Sequence, residues 1–397
     1  MIKKIITASG LLFLLLFYSH SYANNCHDIN EYPNWTQSNW AGVYDHALAG
    51  DKMHHQGVLY RANWWTNAIP GSTGAWQKLG LCETQPPVEG GPFSRHGKLS
   101  VCGTTLCNES KIPVQLRGMS SHGLQWFGLN KCLTTKSMEV LAQQWQADIV
   151  RLSLYVQEGG YITDPVGFTE QVNQLITMAS NLDMYVLVDW HQLNPGDPNE
   201  NLQAAKQFFN NIVLANKHRS NIIYDIANEP NGVNWQSIHD YALEVIPVIR
   251  DLDPDAVVLV GTHGWSTFGA SDGGSYMDIV NNPLPFANIM YTFHFYAASH
   301  REFHRNMLDK ASDVLPVFVT EWGTQNYKGE DENDFVSAQA YIDLMANKKI
   351  SWTNWNYSDD WRSGAVFKAG ACQQGNFDDS QLKEAGIWVK QQIINGR

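Results

Sequence analysis

From residue 94 onward the chain alternates between two rhythms. Short apolar, mostly β-branched runs at 112–116, 148–152, 184–188, 222–227, 256–260, 289–293, 315–320 and 350–353 read as strands. Between them, 168–181, 202–216, 235–250 and 335–346 carry apolar residues at helical spacing. The runs lie roughly 26 to 38 residues apart, which is about one strand, one helix and their turns. Eight such units in succession predict an α/β fold of the (β/α)8 barrel type. The alternative is a doubly wound open sheet. It calls for a glycine-rich phosphate turn after the first strand, and none is present.

Nearly every predicted strand stays apolar until its last one or two positions. There it offers Arg151, His191, Asn228 with Glu229, His294 with Tyr296, Glu321, or Trp355. Barrel active sites are built at this C-terminal rim. A lone His or Arg is more often a satisfied structural group, but so many strands presenting reactive groups at the same end is a pattern. Two carboxyls stand out: Glu229 between Asn228 and Pro230, and Glu321 before Trp322-Gly323. A pair on one rim suits acid-assisted hydrolysis of an acetal, one protonating the leaving oxygen while the other attacks carbon. They must then differ in protonation at one pH. Arg151 is expected beside Glu321, and Glu229 in a less charged, partly buried place. The plainer reading of the same residues is a structural ion pair between Arg151 and either Glu.

The segment 24–82 has another character, and 83–93 (ETQPPVEGGPF) reads as a short Pro/Gly linker between it and 94–397. The chain has 15 Trp, and five of them, Trp35, Trp40, Trp64, Trp65 and Trp76, fall in this one stretch of about 60 residues. So few residues cannot bury so many large rings, and adjacent Trp64 and Trp65 are not both expected in a core. Exposed flat rings stack on ligands.

Residues 1–23 read as a secretory signal: Lys3 and Lys4, an apolar stretch too short to span a bilayer comfortably, then Ser21-Tyr22-Ala23 as the cleavage region. Removing them takes two lysines and no acids, and the formal net charge moves from -12 to -14. That excess of acid disfavours nucleic acid as a partner. No other run is long enough to cross a membrane, so the product is expected outside the cell. All six cysteines lie in the exported part, which predicts disulfides. Cys26 and Cys82 bracket the first segment. Cys102 and Cys107 flank a four-residue turn where a tight hairpin would place them opposite each other. Cys132 and Cys372 remain, and they follow the first and eighth strands, which are neighbours in a closed barrel. No Cys-x-x-Cys with a His partner is present, so zinc is not expected; no other metal and no cofactor is called for by the sequence.

Two resemblances add to this reading. Tyr32-Pro33-Asn34-Trp35, Trp40-Ala41-Gly42, Gly50-Asp51, Gly57-Val58-Leu59-Tyr60, Ala62-Asn63-Trp64-Trp65-Thr66, Pro70-Gly71, Trp76 and Gly80-Leu81-Cys82 resemble the cellulose- and chitin-binding modules of carbohydrate-binding families 5 and 12. The resemblance implies a binding face made of Trp40, Trp64 and Trp65. Val114-Gln115-Leu116-Arg117-Gly118-Met119-Ser120-Ser121-His122-Gly123-Leu124-Gln125-Trp126, Val150-Arg151-Leu152, Asp189-Trp190-His191, Ala227-Asn228-Glu229-Pro230, His294-Phe295-Tyr296, Thr320-Glu321-Trp322-Gly323 and Asn354-Trp355 resemble glycoside hydrolase family 5, most closely its bacterial endoglucanases.

That second resemblance implies a secreted endo-β-1,4-glucanase acting on cellulose with retention, through a covalent glycosyl-enzyme. Glu229 would be the acid/base and Glu321 the nucleophile. Asn228 would bind the sugar 2-hydroxyl, and Arg151 and Tyr296 would orient Glu321. His191 and His294 would bond the sugar and position Glu229. His122 would contact the glycone, Trp355 would floor the cleavage subsite, and Trp126 and Trp265 would serve more distal glycone subsites. The same barrel could carry a mannanase, a xyloglucanase or a chitosanase, since fold does not separate them. A non-catalytic binding protein would lack a carboxyl, and both are present. Two departures from the family text are His263 in Thr262-His263-Gly264-Trp265, and Asp359-Asp360-Trp361, which lacks the lysine often found there.

Overall fold

The computed structural model describes residues 26, 29–32, 35–40, 42–55, 58–82, 90–126, 128–330 and 332–396. The predicted signal at 1–23 and residues 83–89 of the predicted linker lie outside the described residues. The chain divides into two compact units, Met1–Thr84 and Gln85–Arg397.

The first unit is built of short strands. Asn30–Glu31, Lys52–His55, Val58–Ala62 and Trp76–Leu81 form one sheet, and Gln37–Ser38 pairs with Tyr44–His46. Its core is small: Ala47, Met53, Ala62, Ala75 and Trp76, with Tyr32, Trp35 and Tyr60 packed against it. Trp76 is held by a bond from its indole N–H to the Ala68 carbonyl at 2.8 Å, and Trp35 stacks on it at 6.5 Å between centroids. A core of that size is marginal alone, and the Cys26–Cys82 disulfide closes the unit across 56 residues. Trp40, Trp64 and Trp65 stay outside, at 99%, 56% and 54% exposure. Trp64 and Trp65 sit in a bend after the Val58–Ala62 strand. Strand alternation therefore does not apply to them, and both face solvent.

The second unit is a closed barrel of eight parallel strands: β1 (Arg117–Ser120), β2 (Ile149–Tyr155), β3 (Tyr185–His191), β4 (Ile222–Asp225), β5 (Val257–Val260), β6 (Ile289–Tyr296), β7 (Val317–Gly323) and β8 (Trp352–Trp355), with β8 pairing back to β1. Helices including Pro165–Asn181, Leu202–Asn216, Trp235–Arg250, Glu302–Ser312 and Phe335–Lys348 connect successive strands. Alternation along each strand sorts the side chains. On β2, Val150, Leu152 and Leu154 join the large apolar layer between barrel and helices, and on β3 Val186, Val188 and Trp190 do the same. The other face points to the axis. Its lowest layer is apolar: Ile149, Leu187, Ile223, Leu259, Met290 and Phe318, closed by Leu99, Leu106, Val114 and Leu116. Two residues further along come Arg151, Asp189 and Asp225, all fully buried.

The first strand departs from expectation. The run 112–116 does not form it; Val114 and Leu116 close the barrel floor, and pairing begins at Arg117. Gly118 permits that pairing, because a Cβ there would stand 1.7 Å from the Ile149 carbonyl oxygen. Elsewhere β2, β3, β6 and β7 run beyond the apolar stretch into the polar rim. The ladder bonds are main-chain bonds and do not require apolar side chains.

Cys102 and Cys107 are joined across a hairpin of Ser100–Cys102 with Thr105–Cys107 that turns at Gly103, where φ is +61°. Cys132 ends a short helical turn after β1, Cys372 lies in a helical turn after β8, and the two are joined. A disulfide typically contributes about 2–4 kcal/mol, so replacing both by Ser should lower Tm by several degrees with kcat unchanged. Calorimetry with a parallel rate measurement checks this. Among the described residues no helix is long and apolar enough to cross a membrane.

Candidate active site

The rim residues converge above the Arg151 layer. Arg151, on β2, is fully buried and serves as the hub. Its Nη1 donates to Glu321 Oε2 at 2.9 Å and to Ser120 Oγ at 3.3 Å. Its Nη2 donates to Asn228 Oδ1 at 2.5 Å and lies 2.9 Å from Asp189 Oδ2. Glu321 accepts at its other oxygen from the Tyr296 hydroxyl at 2.5 Å. Both oxygens of Glu321 are thus acceptors, one from a guanidinium and one from a phenol. A register shift between Val319 and Trp322 on β7 lets both Thr320 and Glu321 turn inward.

Glu229 is placed differently. It follows β4 and, among the described residues, pairs with no Lys or Arg; Oε1 meets His294 Nδ1 at 2.8 Å. Burial is the main cause that pushes its carboxyl up to about 7, with nearby His191 and Arg151 opposing. His294 is neutral, since burial pulls it down to about 3. Its Nε2 faces Thr320 Oγ1 at 2.8 Å. One oxygen of Glu229, one of Glu321 and a nitrogen of His294 lie within 4.8 Å of one another. Both nitrogens of His294 are already engaged there. The other close grouping, Cys132, Asp359 and Cys372, has its sulfurs in a disulfide.

Asn228 gives its Oδ1 to Arg151, and its buried Nδ2 has no protein partner. The amide is therefore fixed with its donors free toward the site. His191 Nδ1 meets Asp189 Oδ2 at 2.6 Å, and its ring stacks on Trp355 at 5.4 Å. His122 Nδ1 accepts from the Gly123 N–H at 2.7 Å, which puts the ring hydrogen on Nε2. Burial draws His122 down to about 4, so it too is neutral. Its ring lies 5.1 Å from Trp355 and 5.3 Å from Trp126. Trp265 stands elsewhere. It is 42% exposed, in a left-handed conformation at φ +59°, with its N–H on the Pro230 carbonyl at 3.0 Å. The next residue, Ser266, donates to the Asn228 carbonyl at 2.7 Å. Trp265 is thus tied to the Glu229 side, away from His122 and Trp126.

Several site residues were not singled out by the sequence reading. Tyr155 lies between Trp126 (4.5 Å) and His191 (4.1 Å). Stepping by two from Arg151 along β2 gives Ser153 and then Tyr155, and stepping back by two from His191 gives Asp189, so strand period was the available signal. Asp360 faces His122 Nε2 at 3.6 Å and accepts from Arg362 at 3.0 Å. Arg362 lies over Trp361 and brings a cation to the stretch that lacks the expected lysine. His263 is structural: it is buried, it meets Asp278 at 3.2 Å, and Gly269 and Gly274 fold so closely over it that a Cβ on either would lie 2.6 Å from its Nε2.

A closed barrel with a buried carboxyl facing a guanidinium-bound one, among aromatic rings at the C-terminal rim, defines a glycoside hydrolase. Residues 107–360 match the cellulases, glycosyl hydrolase family 5, and residues 23–83 match a cellulose-binding domain. The chain belongs to glycosyl hydrolase family 5. It is 52% identical over 377 residues to endoglucanase MaCel5A of Microbulbifer sp. (strain ALW1), covering 87% of this chain and 73% of that protein. It is 56% identical over 311 residues to endoglucanase E-5 of Thermobifida fusca, covering 78% and 66% respectively. The crystal structure of the catalytic domain of Thermobifida fusca endoglucanase Cel5A superposes with a TM-score of 0.76 at 56% identity, over 77% of this chain and all of that one. A variant of that domain was solved with cellotetraose.

Proposed function

We propose that this chain is a secreted endo-β-1,4-glucanase that hydrolyses internal bonds of cellulose with retention, through a covalent glycosyl-enzyme. The observation that carries the retaining reading is the carboxyl pair. Oxygens of Glu229 and Glu321 approach within 4.8 Å. Retaining pairs stand about 5–5.5 Å apart, whereas inverting pairs need about 6.5–9.5 Å for an intervening water. Glu229 is the general acid/base because burial leaves it protonated near neutrality. Glu321 is the nucleophile, oriented by Arg151 and Tyr296. Asn228 offers its free Nδ2 to the sugar 2-hydroxyl.

Trp355 is the floor beneath the cleaved sugar, with His191 at its edge, and His122 and Trp126 continue the glycone side. Trp265, fixed to Pro230 beside the acid, belongs to the leaving-group side rather than to a distal glycone subsite. The endoglucanase names of the relatives and the cellotetraose bound by one of them favour a β-1,4-glucan as substrate. Residues 1–23 act as the export signal, 24–82 as the binding module and 83–93 as the tether.

Sugar release from carboxymethylcellulose, set against mannan, xyloglucan and chitosan, tests the substrate. Comparable or greater release from any of the other three would displace the glucanase reading. In the full chain, Trp64→Ala with Trp65→Ala should weaken binding to crystalline cellulose by roughly 30-fold, from about 1 kcal/mol per stacked ring. The kcat/KM on a soluble cello-oligosaccharide should stay unchanged. A pull-down on cellulose and on chitin decides which polymer the module prefers. Unaltered binding to both would mean the exposed Trp face is not the adhesive one.

A further inference from the structure

The nucleophile side of the site has a support at the end of β6 that the proposed mechanism leaves out. Tyr296 is the last residue of that strand, and its hydroxyl donates to Glu321 Oε1 at 2.5 Å. Both main-chain polar groups of Tyr296 are held by one residue four positions on. The Tyr296 N–H donates to His300 Nδ1 at 3.1 Å, and the Tyr296 carbonyl accepts from the His300 N–H at 2.7 Å. The same carbonyl accepts from the Ser299 N–H at 2.9 Å. The rings of Tyr296 and His300 meet edge to face, 6.4 Å between centroids.

A main-chain N–H only donates, so Nδ1 of His300 must be bare and its single ring hydrogen must sit on Nε2. The surroundings agree with a neutral ring: burial, then His304 and His294, pulls His300 down to about 3. His300 is itself anchored. Its ring stacks on His304, in the helix Glu302–Ser312, at 4.2 Å between centroids and 14° between planes. His304 Nε2 in turn meets Ser271 Oγ at 3.3 Å. The His300 carbonyl accepts from the Tyr341 hydroxyl, on the helix Phe335–Lys348, at 3.1 Å. The grip on Tyr296 therefore comes from a loop fastened to two helices.

We propose that His300 is a positioning residue: through the main chain of Tyr296 it holds the Tyr296 hydroxyl on Glu321. The argument rests on Glu321 being the nucleophile. The hydroxyl stands at the far end of a long, rigid side chain, so a small rotation at the Tyr296 Cα becomes a larger shift at the oxygen. A misplacement of about 1 Å in a reacting group can cost about a hundredfold in rate. Once the phenol drifts from Oε1, Glu321 is held only at Oε2, by Arg151, and its carboxylate can turn about that bond. No proton passes between His300 and Tyr296 during turnover.

A double-mutant cycle of the full chain tests this. His300→Leu should lower kcat by roughly tenfold, part of what a hydrogen bond to a charged group supplies, with KM little changed. The loss should be equal on cellotetraose and on an aryl cellobioside, because both need the nucleophile. His300→Asn, whose side-chain oxygen can accept from the same N–H, should stay within about threefold of the parent. In a Tyr296→Phe background, His300→Leu should cost less than about twofold more, since the hydroxyl it positions is gone. No loss in His300→Leu or in Tyr296→Phe, equal losses in the two backgrounds, or no rescue by Asn would overturn the proposal. The 15N pattern of His300 in the labelled parent, assigned by comparison with His300→Asn, checks the contact without relying on the Leu variant to fold. Hydrogen on Nε2 supports the proposal and hydrogen on Nδ1 overturns it. Failure of the nucleophile reading shows separately, as activity retained in Glu321→Ala.

Discussion

Glu321→Ala is expected to eliminate turnover of cellulose, by roughly 10^4-fold or more, on the scale seen when a covalent nucleophile is removed. No other carboxyl on the rim can replace it. Asp189 is committed to Arg151 and His191 within the barrel, and Glu229 is the residue proposed as the acid. The fold should tolerate the change. Arg151 keeps Asp189 at 2.9 Å and Asn228 at 2.5 Å, so its charge is not orphaned. Removing the side chain opens space beside the anomeric carbon, where a small anion can enter from the face that Glu321 occupied in the parent. Azide should then restore slow release of the leaving group from an aryl cellobioside and give a glycosyl azide of inverted configuration, read by NMR of the product. Near-parental activity without azide would remove Glu321 from its role. Rescue with retained configuration would argue that the intermediate forms elsewhere.

The barrel was legible in the sequence because its signal is repeated. Eight apolar runs at similar spacing allow one strand to be misplaced, as 112–116 was, without losing the closure of the sheet. That run is apolar because Val114 and Leu116 plug the floor, and a floor plug and a buried strand look alike in sequence. The strand β1 that does form reads Arg117-Gly118-Met119-Ser120, with a polar residue at each end. The rim was legible where chemistry marks a residue: a carboxyl beside Pro230, a His after an apolar run. Tyr155 and Asp225 carried no such mark. Tyr155 is a further aromatic in an aromatic-rich chain, and Asp225 reads as one more acid among 39 acidic residues. Their meaning comes from register, Asp225 beside Asp189 and Tyr155 beside His191, and register is a property of paired strands. The side of the site on which Trp265 stands was not legible either. It depends on a left-handed turn and on its bond to Pro230.

Glu229→Gln should divide substrates by their leaving groups. On cellulose and cello-oligosaccharides the departing sugar hydroxyl is a poor leaving group and must be protonated as the bond breaks, so kcat/KM should fall by about 10^2- to 10^4-fold. An aryl cellobioside whose phenol leaves unaided should lose far less in that step. The pH profile sharpens the test. The carboxyl of Glu229 is raised to about 7, chiefly by burial. Its acid form is therefore present below that value and lost as pH rises through it. In the parent, kcat/KM on cellotetraose should show a falling basic limb near pH 7, because that parameter reports the free enzyme. In Glu229→Gln no proton is left to lose, and this limb should vanish from whatever activity remains. The aryl substrate should lack the limb even in the parent, since its glycosylation step does not need the acid. A basic limb that persists near pH 7 in Glu229→Gln would assign the titration to another group. Equal losses on the two substrates would mean that Glu229 supports the fold of the site rather than the departure of the sugar.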